Sequence, residues 1–505
     1  MQMATFAAMP VPAARPALAK PRFLNDPFTL GVASGEPLSD GFVIWTRLAP
    51  DPFNPEALPP ESIEVEWEVA AEPAFRRVVQ KGRALARPEW AHAVHVELRG
   101  LEPGRPFWYR FRAGDAESEV GRARTSPIVG RPLDRLRFAF TSCQHYEHGY
   151  FAAYRGMVED DPDLVIHLGD YIYETTAVDP IRRHDGPEPM TLADYRNRHA
   201  LYKLDADLRA AHAHCCWLVT WDDHEVDNDF AAAIAEDGAD PAAFLARRTA
   251  AWRAYYEHMP LRRSGMPQPD GSMRIHQRFA FGDLATLSLL DGRQYRSDQA
   301  CDDNGFGGGQ LVENCAEILD PERTMLGEAQ ERWVLRGLER AQPRWTVIAQ
   351  QTLFAQLDSK PGAGEAFWSD GWSGYPVSRD RILMAIRDRK PPNPVFIGGD
   401  MHSTWVTDLK AGSWTAEAPT VASEFVCTSL SANGPPADRF LPLLPENPHI
   451  RFFEASKRGY GLATLTPSLW RTDFRVVEDV RDPRTTSSTL ASFVVEAGEA
   501  GAKPA

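Results

Sequence analysis

Val165-Ile166-His167-Leu168-Gly169-Asp170-Tyr171-Ile172-Tyr173-Glu174 is a short apolar run that stops abruptly at Gly-Asp. A buried strand whose tip delivers a carboxylate into a cleft has this form. Two later stretches are built alike: Leu218-Val219-Thr220-Trp221-Asp222-Asp223-His224-Glu225 and Val395-Phe396-Ile397-Gly398-Gly399-Asp400-Met401-His402. Three apolar runs, each ending in Asp and two followed closely by His, predict one metal centre assembled from the carboxyl ends of neighbouring strands. The chemistry implied is metal-assisted hydrolysis.

Each tip brings its own chemistry. A carboxylate at Asp170 can bridge two cations, because hard ions favour oxygen ligands; a Gly-Asp pair alone is commonly just a turn. Tyr173 lies three residues on, where its phenol could bind a strongly Lewis-acidic ion, although a tyrosine beside an apolar run is ordinarily a core aromatic. Asp222, Asp223, Glu225, Asp227 and Asp229 crowd around His224, and like charges at that density repel unless cations neutralise them. His224 is placed to donate a proton to a leaving oxygen or to stabilise charge on the transferring group. Asp400 and His402, two apart on an extended tip, point to one side, and the glycines before them allow close backbone approach.

Asp291-Gly292-Arg293 follows another apolar run, Leu284 to Leu290. The fork of Arg293 can hold a phosphate oxygen; surface salt bridging is the alternative for it and for Arg296. Cys143, in Thr141-Ser142-Cys143-Gln144, reads as a buried thiol or as a metal-bound thiolate.

At 505 residues the chain exceeds one ordinary core, so two domains are expected. A hydrophobic fraction of 43% with 25% charged residues is that of a globular protein. No apolar run is long enough to span a membrane. The net charge of −15 disfavours stable nucleic-acid binding, which needs a basic stripe. Six cysteines include no C-x-x-C pair, which argues against a zinc ribbon or a thioredoxin-like site. A disulfide between Cys301 and Cys315 would close a short, Gly-rich loop. The Ala- and Pro-rich start, Met1 to Lys20, reads as the end of an export signal whose charged start and apolar core are missing, so an exported protein, periplasmic or extracellular, is expected.

Residues 27–125 carry an all-β pattern. Ile63 to Val69 alternates strictly, and a turn at Leu101 to Gly104 feeds the aromatic strand Phe107 to Arg112, as in a β-sandwich of immunoglobulin or fibronectin type. Residues 126–135 read as a linker. From Leu136 strands alternate with helical patterns, giving an α/β catalytic domain over 136–482. Residues 178–210, 230–275 and 300–325 are long insertions, and 486–505 is expected to be a mobile tail. The glycine-rich stretch from Gly305 to Gln310 lacks the ending of a phosphate-cradling loop, and there is no G-x-S-x-G elbow and no H-E-x-x-H.

Taken in order, Ser142-Cys143-Gln144, Gly169-Asp170-x-x-Tyr173, Asp223-His224-Glu225, Asp291-x-Arg293 and Gly399-Asp400-x-His402 resemble the alkaline phosphatase D (PhoD-like) family of metallophosphoesterases. The likeness spans about residues 27 to 480, because family members also carry an N-terminal β-sandwich domain. It implies a four-layer α/β/β/α sandwich with metals at the strand ends. It implies a ferric ion with calcium ions, Cys143 and Tyr173 as iron ligands, Asp170 as the bridging carboxylate, and Asp223, Asp400 and His402 at the remaining metal positions. Arg293 matches the family's phosphate-contacting arginine.

Against the broader metallophosphoesterase pattern, the usual Asp-x-His opening is Ser142-Cys143-Gln144 and the usual Asn is Asp223. A Val-x-x-His motif is replaced by Val347-Ile348-Ala349-Gln350. These exchanges trade nitrogen ligands for sulfur, phenolate and hard oxygen, which suits iron with calcium better than a zinc pair. The implied activity is hydrolysis of phosphate monoesters or diesters by in-line attack of a metal-activated water. The alternatives are a phospholipase D-type phosphodiesterase acting on phospholipid head groups and, more remotely, a non-catalytic exported binding module.

Overall fold

The strands that carry the aspartate tips sit in the middle of two mixed sheets, in a computed structural model that describes residues 22–301, 307–340 and 343–505. The N-terminal stretch read as the end of an export signal lies outside the described residues, as do Gly305 and Phe306 of the glycine-rich loop. In the first sheet Leu164–His167 runs parallel between Leu136–Thr141 and Cys216–Val219, with Ile166 opposite Phe140 and Leu218. In the second, Pro394–Gly398 runs parallel between Trp345–Ala349 and Thr420–Val426. Parallel neighbours end on the same side, so each sheet presents its loops along one rim.

The apolar runs are continuous because both faces of each sheet are covered. Alternation splits them cleanly: Ile166, Leu218, Val347 and Ile397 share one core between the sheets. Val165, Trp217 and Val219 face a second core with Tyr154, Tyr202 and Trp252 from the helices Ala153–Glu159, Leu192–Lys203 and Pro241–His258. Ile348 and Phe396 face a third with Val334, Leu338, Ile382 and Ile386 from Gly327–Arg340 and Pro376–Arg389. Two of the long insertions thus supply helical cover, Leu192–Lys203 in 178–210 and Pro241–His258 in 230–275, whereas the described part of 300–325 holds the strand Leu311–Glu313 and a short 3-10 turn.

Two expectations are corrected. The N-terminal strands do not form a sandwich of their own, because Val32–Leu38 pairs in parallel with Cys216–Val219, and Gly41–Arg47 and Ala93–Glu97 extend the same ten-stranded sheet, while residues 126–135 carry no helix or strand. Without that pairing Cys216–Val219 would expose a bare hydrogen-bonding edge. The remaining N-terminal strands form a five-stranded sheet whose Val65, Val69 and Phe111 pack on Phe42, Ile44 and Val94. The second correction concerns the tail. Ser487–Glu496 pairs antiparallel with Leu469–Val477, burying Phe493 and Val495, so the expected mobile tail is the edge of the sheet. The apolar patch there alternates at strand period, which the small, polar flanks hide.

Cys301 and Cys315 are disulfide-bonded, and the other four cysteines are free and buried. Among the described residues no helix is long and apolar enough to cross a membrane.

Candidate metal centre

Backbone hydrogen bonds lace the tips of the first sheet together: the Cys143 N–H donates to the Gly169 carbonyl at 3.2 Å and the Gln144 N–H to that of Asp170 at 3.1 Å. The second sheet is tied to them by the Asp400 N–H, which donates to Ser142 Oγ at 3.3 Å. Close approach explains the glycine at Gly169, where a Cβ would sit 2.5 Å from the Cβ of Asp222 and φ is +118°. Cys143 (φ 59°), Asp170 (55°), Asp400 (61°) and His402 (48°) all hold left-handed backbone. Non-glycine residues tolerate this conformation at a cost, and such strain gathers at functional sites.

The side chains converge on Asp170. Donor atoms of Cys143, Asp170 and His402 lie within 4.8 Å of one another, and so do those of Asp170, Asp223 and His224. Asp170 is common to both groups. Tyr173 joins the first: its hydroxyl donates to Asp170 Oδ2 at 2.7 Å and lies 3.1 Å from His402 Nε2. The His402 Nδ1–H donates to the Asn433 carbonyl at 2.6 Å, which leaves Nε2 free to act as a ligand. Burial also holds the His402 pKa down to about 3, so the ring stays neutral. Asp400 stands outside both groups, two residues before His402; burial and the charge of Asp223 raise its carboxyl pKa.

These residues suit cations. Asp170 Oδ1 is buried without a hydrogen-bond partner, an arrangement that is costly for a carboxylate unless an ion faces it, whereas Asp223 Oδ1 has the Arg293 guanidinium 3.5 Å away. Burial, then neighbouring carboxylates, pushes the Cys143 thiol and the Tyr173 phenol well above their ordinary ranges. Nearby cations invert that balance and favour thiolate and phenolate. One donor group offers sulfur, phenol, imidazole and carboxylate; the other offers carboxylates and an imidazole.

Arg293 is brought to the centre, but not as an open fork. It is buried, its Nε donates to Asp222, its Nη1 donates to Asp370 at 3.1 Å, and its Nη2 lies 3.5 Å from Asp223. Each nitrogen faces a carboxylate. Burial works against the charge of Asp223, but Arg293 and His224 outweigh it and hold this carboxyl below its ordinary range. Arg296 donates to Asp370 and, at 2.9 Å, to the Asp229 carbonyl, so it lies behind Arg293.

Two carboxylates matter more than their sequence reading suggested. Glu225 accepts backbone N–H bonds from Asp170 at 3.0 Å and Asp222 at 2.7 Å, and a further one from Tyr171. It staples two strand tips, where the sequence showed only one more charge in an acidic crowd. Glu174 accepts from His224 Nδ1 at 2.8 Å and from the Asn228 N–H at 3.0 Å. Burial opposes a charge on His224, but Glu174, Asp223 and Asp170 together raise its pKa well above the ordinary value. Glu174, four residues after Asp170, closes the stretch that begins at Val165, and that adjacency is its signal in the sequence.

A shared carboxylate joining two donor groups at the strand ends of an α/β domain is an arrangement that suits a metal-dependent hydrolase. The comparisons with known proteins narrow that class. The PhoD-like phosphatase profile matches residues 138–474, and the profile of the PhoD-like phosphatase N-terminal domain matches residues 13–127. Alkaline phosphatase D of Bacillus subtilis (strain 168) is 45% identical over 493 residues, covering 96% of this chain and 83% of that protein. A solved structure of PhoD superposes with a TM-score of 0.91 at 44% identity, covering 96% of this chain and 93% of that one. The chain belongs to the PhoD-like phosphatase family and is a phosphoric ester hydrolase.

Proposed function

We propose that this protein is an exported iron–calcium phosphoesterase that cleaves phosphate monoesters and diesters. The observation that carries the reading is the position of Asp170, shared by a group with Cys143 and His402 and by a second group in which Asp223 is the other carboxylate and His224, held charged by Glu174, stands beside them. Cys143, Tyr173 and His402 would hold the ferric ion, Asp223 and Asp400 would serve calcium, and Asp170 would lie between. When bound, such cations lower the pKa of a water nucleophile and neutralise phosphoryl oxygens.

The chain's own residues do the rest. Glu174 fixes the ring of His224, which faces the shared carboxylate and is the proton donor to the leaving oxygen. Arg293, expected to hold a phosphate oxygen, is better read as the brace that keeps Asp222 and Asp223 aimed. A four-layer α/β/β/α arrangement, with an immunoglobulin- or fibronectin-like N-terminal unit that shares strands with the ten-stranded sheet, belongs to the same reading. The three cores flanking the two sheets support it. The Cys301–Cys315 disulfide supports an oxidising compartment.

Exhaustive chelation should abolish turnover of p-nitrophenyl phosphate and bis-p-nitrophenyl phosphate, and iron with calcium should restore it. Substantial turnover by fully demetallated protein would sink the proposal.

A further inference from the structure

A cavity of about 470 Å³ opens against Asp400 and His402, and most of its remaining lining is apolar. One wall is a two-stranded ribbon, Leu311–Glu313 paired with Ala366–Trp368, in which Leu311 lies opposite Trp368 and Val312 opposite Phe367. Side chains alternate across a ribbon, and here the two faces have separate tasks. Val312 and Phe367 pack with Cys301, Cys315 and Ile318 in a small core around the disulfide. Leu311 and Trp368 are turned the other way, into the cavity, and remain 51% and 39% exposed. The facing wall holds Phe440 and Leu443, and the guanidinium of Arg439 lies 5.8 Å from the centre of the Trp368 ring at the mouth.

Large apolar side chains left this exposed need a reason, and a cavity of this size that reaches the ligands of a reactive centre supplies one. A heavily hydroxylated substituent would find Thr352, Ser359, Ser373 and Arg439 as partners, while the larger apolar part of the lining would leave its other hydroxyls unpaired. From this placement we infer that the cavity is the binding subsite for an apolar aryl or alkyl group carried by the phosphoryl centre of the substrate. The disulfide holds the wall that recognises it. The inference rests on the phosphoesterase reading of the neighbouring centre and names its substrate class.

Unhydrolysable phosphonates place one organic group beside the centre and therefore test the cavity alone. Methyl-, phenyl- and octylphosphonate are compared with inorganic phosphate as inhibitors of p-nitrophenyl phosphate turnover by the metal-loaded full chain. Phenyl- or octylphosphonate should inhibit at least about tenfold more tightly than methylphosphonate, as burial of apolar area predicts. Gain by phenyl alone points to aryl esters, and gain by octyl alone points to acyl or alkyl chains. Trp368→Ala and the Cys301→Ser/Cys315→Ser pair should shrink the ratio, and Trp368→Phe should keep it. Equal inhibition by the three phosphonates, or a ratio untouched in both variants, overturns the subsite and leaves the phosphoesterase reading standing. No inhibition by phosphate or by any phosphonate overturns both.

Discussion

At the scale of single residues, the centre depends as much on what aims its ligands as on the ligands. His224 is oriented through Glu174, with Nδ1 and Oε2 2.8 Å apart. Glu174→Gln should therefore lower kcat on the order of 10–100-fold, the usual effect of losing a partner that orients a functional histidine. Elemental analysis of the variant should still find the metals; a normal kcat would show that Glu174 is not needed for this role. Tyr173 touches both Asp170 and His402, and its contact with iron would give a visible charge-transfer band. Tyr173→Phe is expected to remove that band while Glu174→Gln keeps it. An absorption scan of the two variants checks this pair directly.

At the scale of elements, the site is a set of strand tips forced into close contact, and Gly169 shows how little room remains. A methyl group there meets Asp222 and must also adopt a φ of +118°. Gly169→Ala should cost on the order of 1–3 kcal/mol in denaturant unfolding and reduce the metal content of the purified protein. Glu225 is the complementary case, since it accepts three backbone N–H groups from two tips. Glu225→Ala strands those donors in the interior, and losses of about 1–3 kcal/mol for each unsatisfied group predict a marked fall in stability. Unchanged unfolding midpoints would refute the stapling role.

The strand tips were legible because a run buried on both faces is apolar throughout and breaks sharply at its carboxyl end. Asp170, His224 and His402 stand at or just after such breaks, whereas for Cys143 and Tyr173 the pattern left a buried thiol and a core aromatic open, and their ligand roles were implied by the family resemblance. Glu225 could not, because its role is to accept backbone hydrogen bonds, and that leaves no pattern along the chain. The ion pairing of Arg293 is hidden for a related reason: Asp370, which engages it, lies 77 residues away.

At the scale of the whole molecule, the N-terminal unit is part of the catalytic sheet. Pairing between Val32–Leu38 and Cys216–Val219 is long-range, and residues 126–135 look like a linker to anyone reading the chain in order. The join is held by a buried pair. The Arg262 N–H donates to Glu36 Oε2 at 3.1 Å, its guanidinium reaches the Glu36 carbonyl at 2.7 Å, and Gln277 donates to Glu36 Oε1 at 2.7 Å. Arg262→Ala keeps the backbone bond but removes the guanidinium from the Glu36 carbonyl, and the loss of about 1–3 kcal/mol for a buried group left unsatisfied predicts a lower Tm of the intact chain.

Burial, opposed by Arg262, raises the Glu36 carboxyl from 4.5 to about 7. Its folded pKa lies above its unfolded value, so folding retains a proton there. The associated stability is fully present below 4.5 and is lost as the pH rises through 7. Glu36→Gln should flatten that part of the stability profile, by up to about 3 kcal/mol. Parallel profiles for the two proteins would show that Glu36 does not titrate in this way.

The proposed centre would have Asp170 join an iron site held by Cys143 and Tyr173 to a calcium site held by Asp223. Elemental analysis of the purified, active protein tests it most directly. Iron is expected in equal amount with the chain, accompanied by calcium. An active protein that holds zinc and no iron would contradict it.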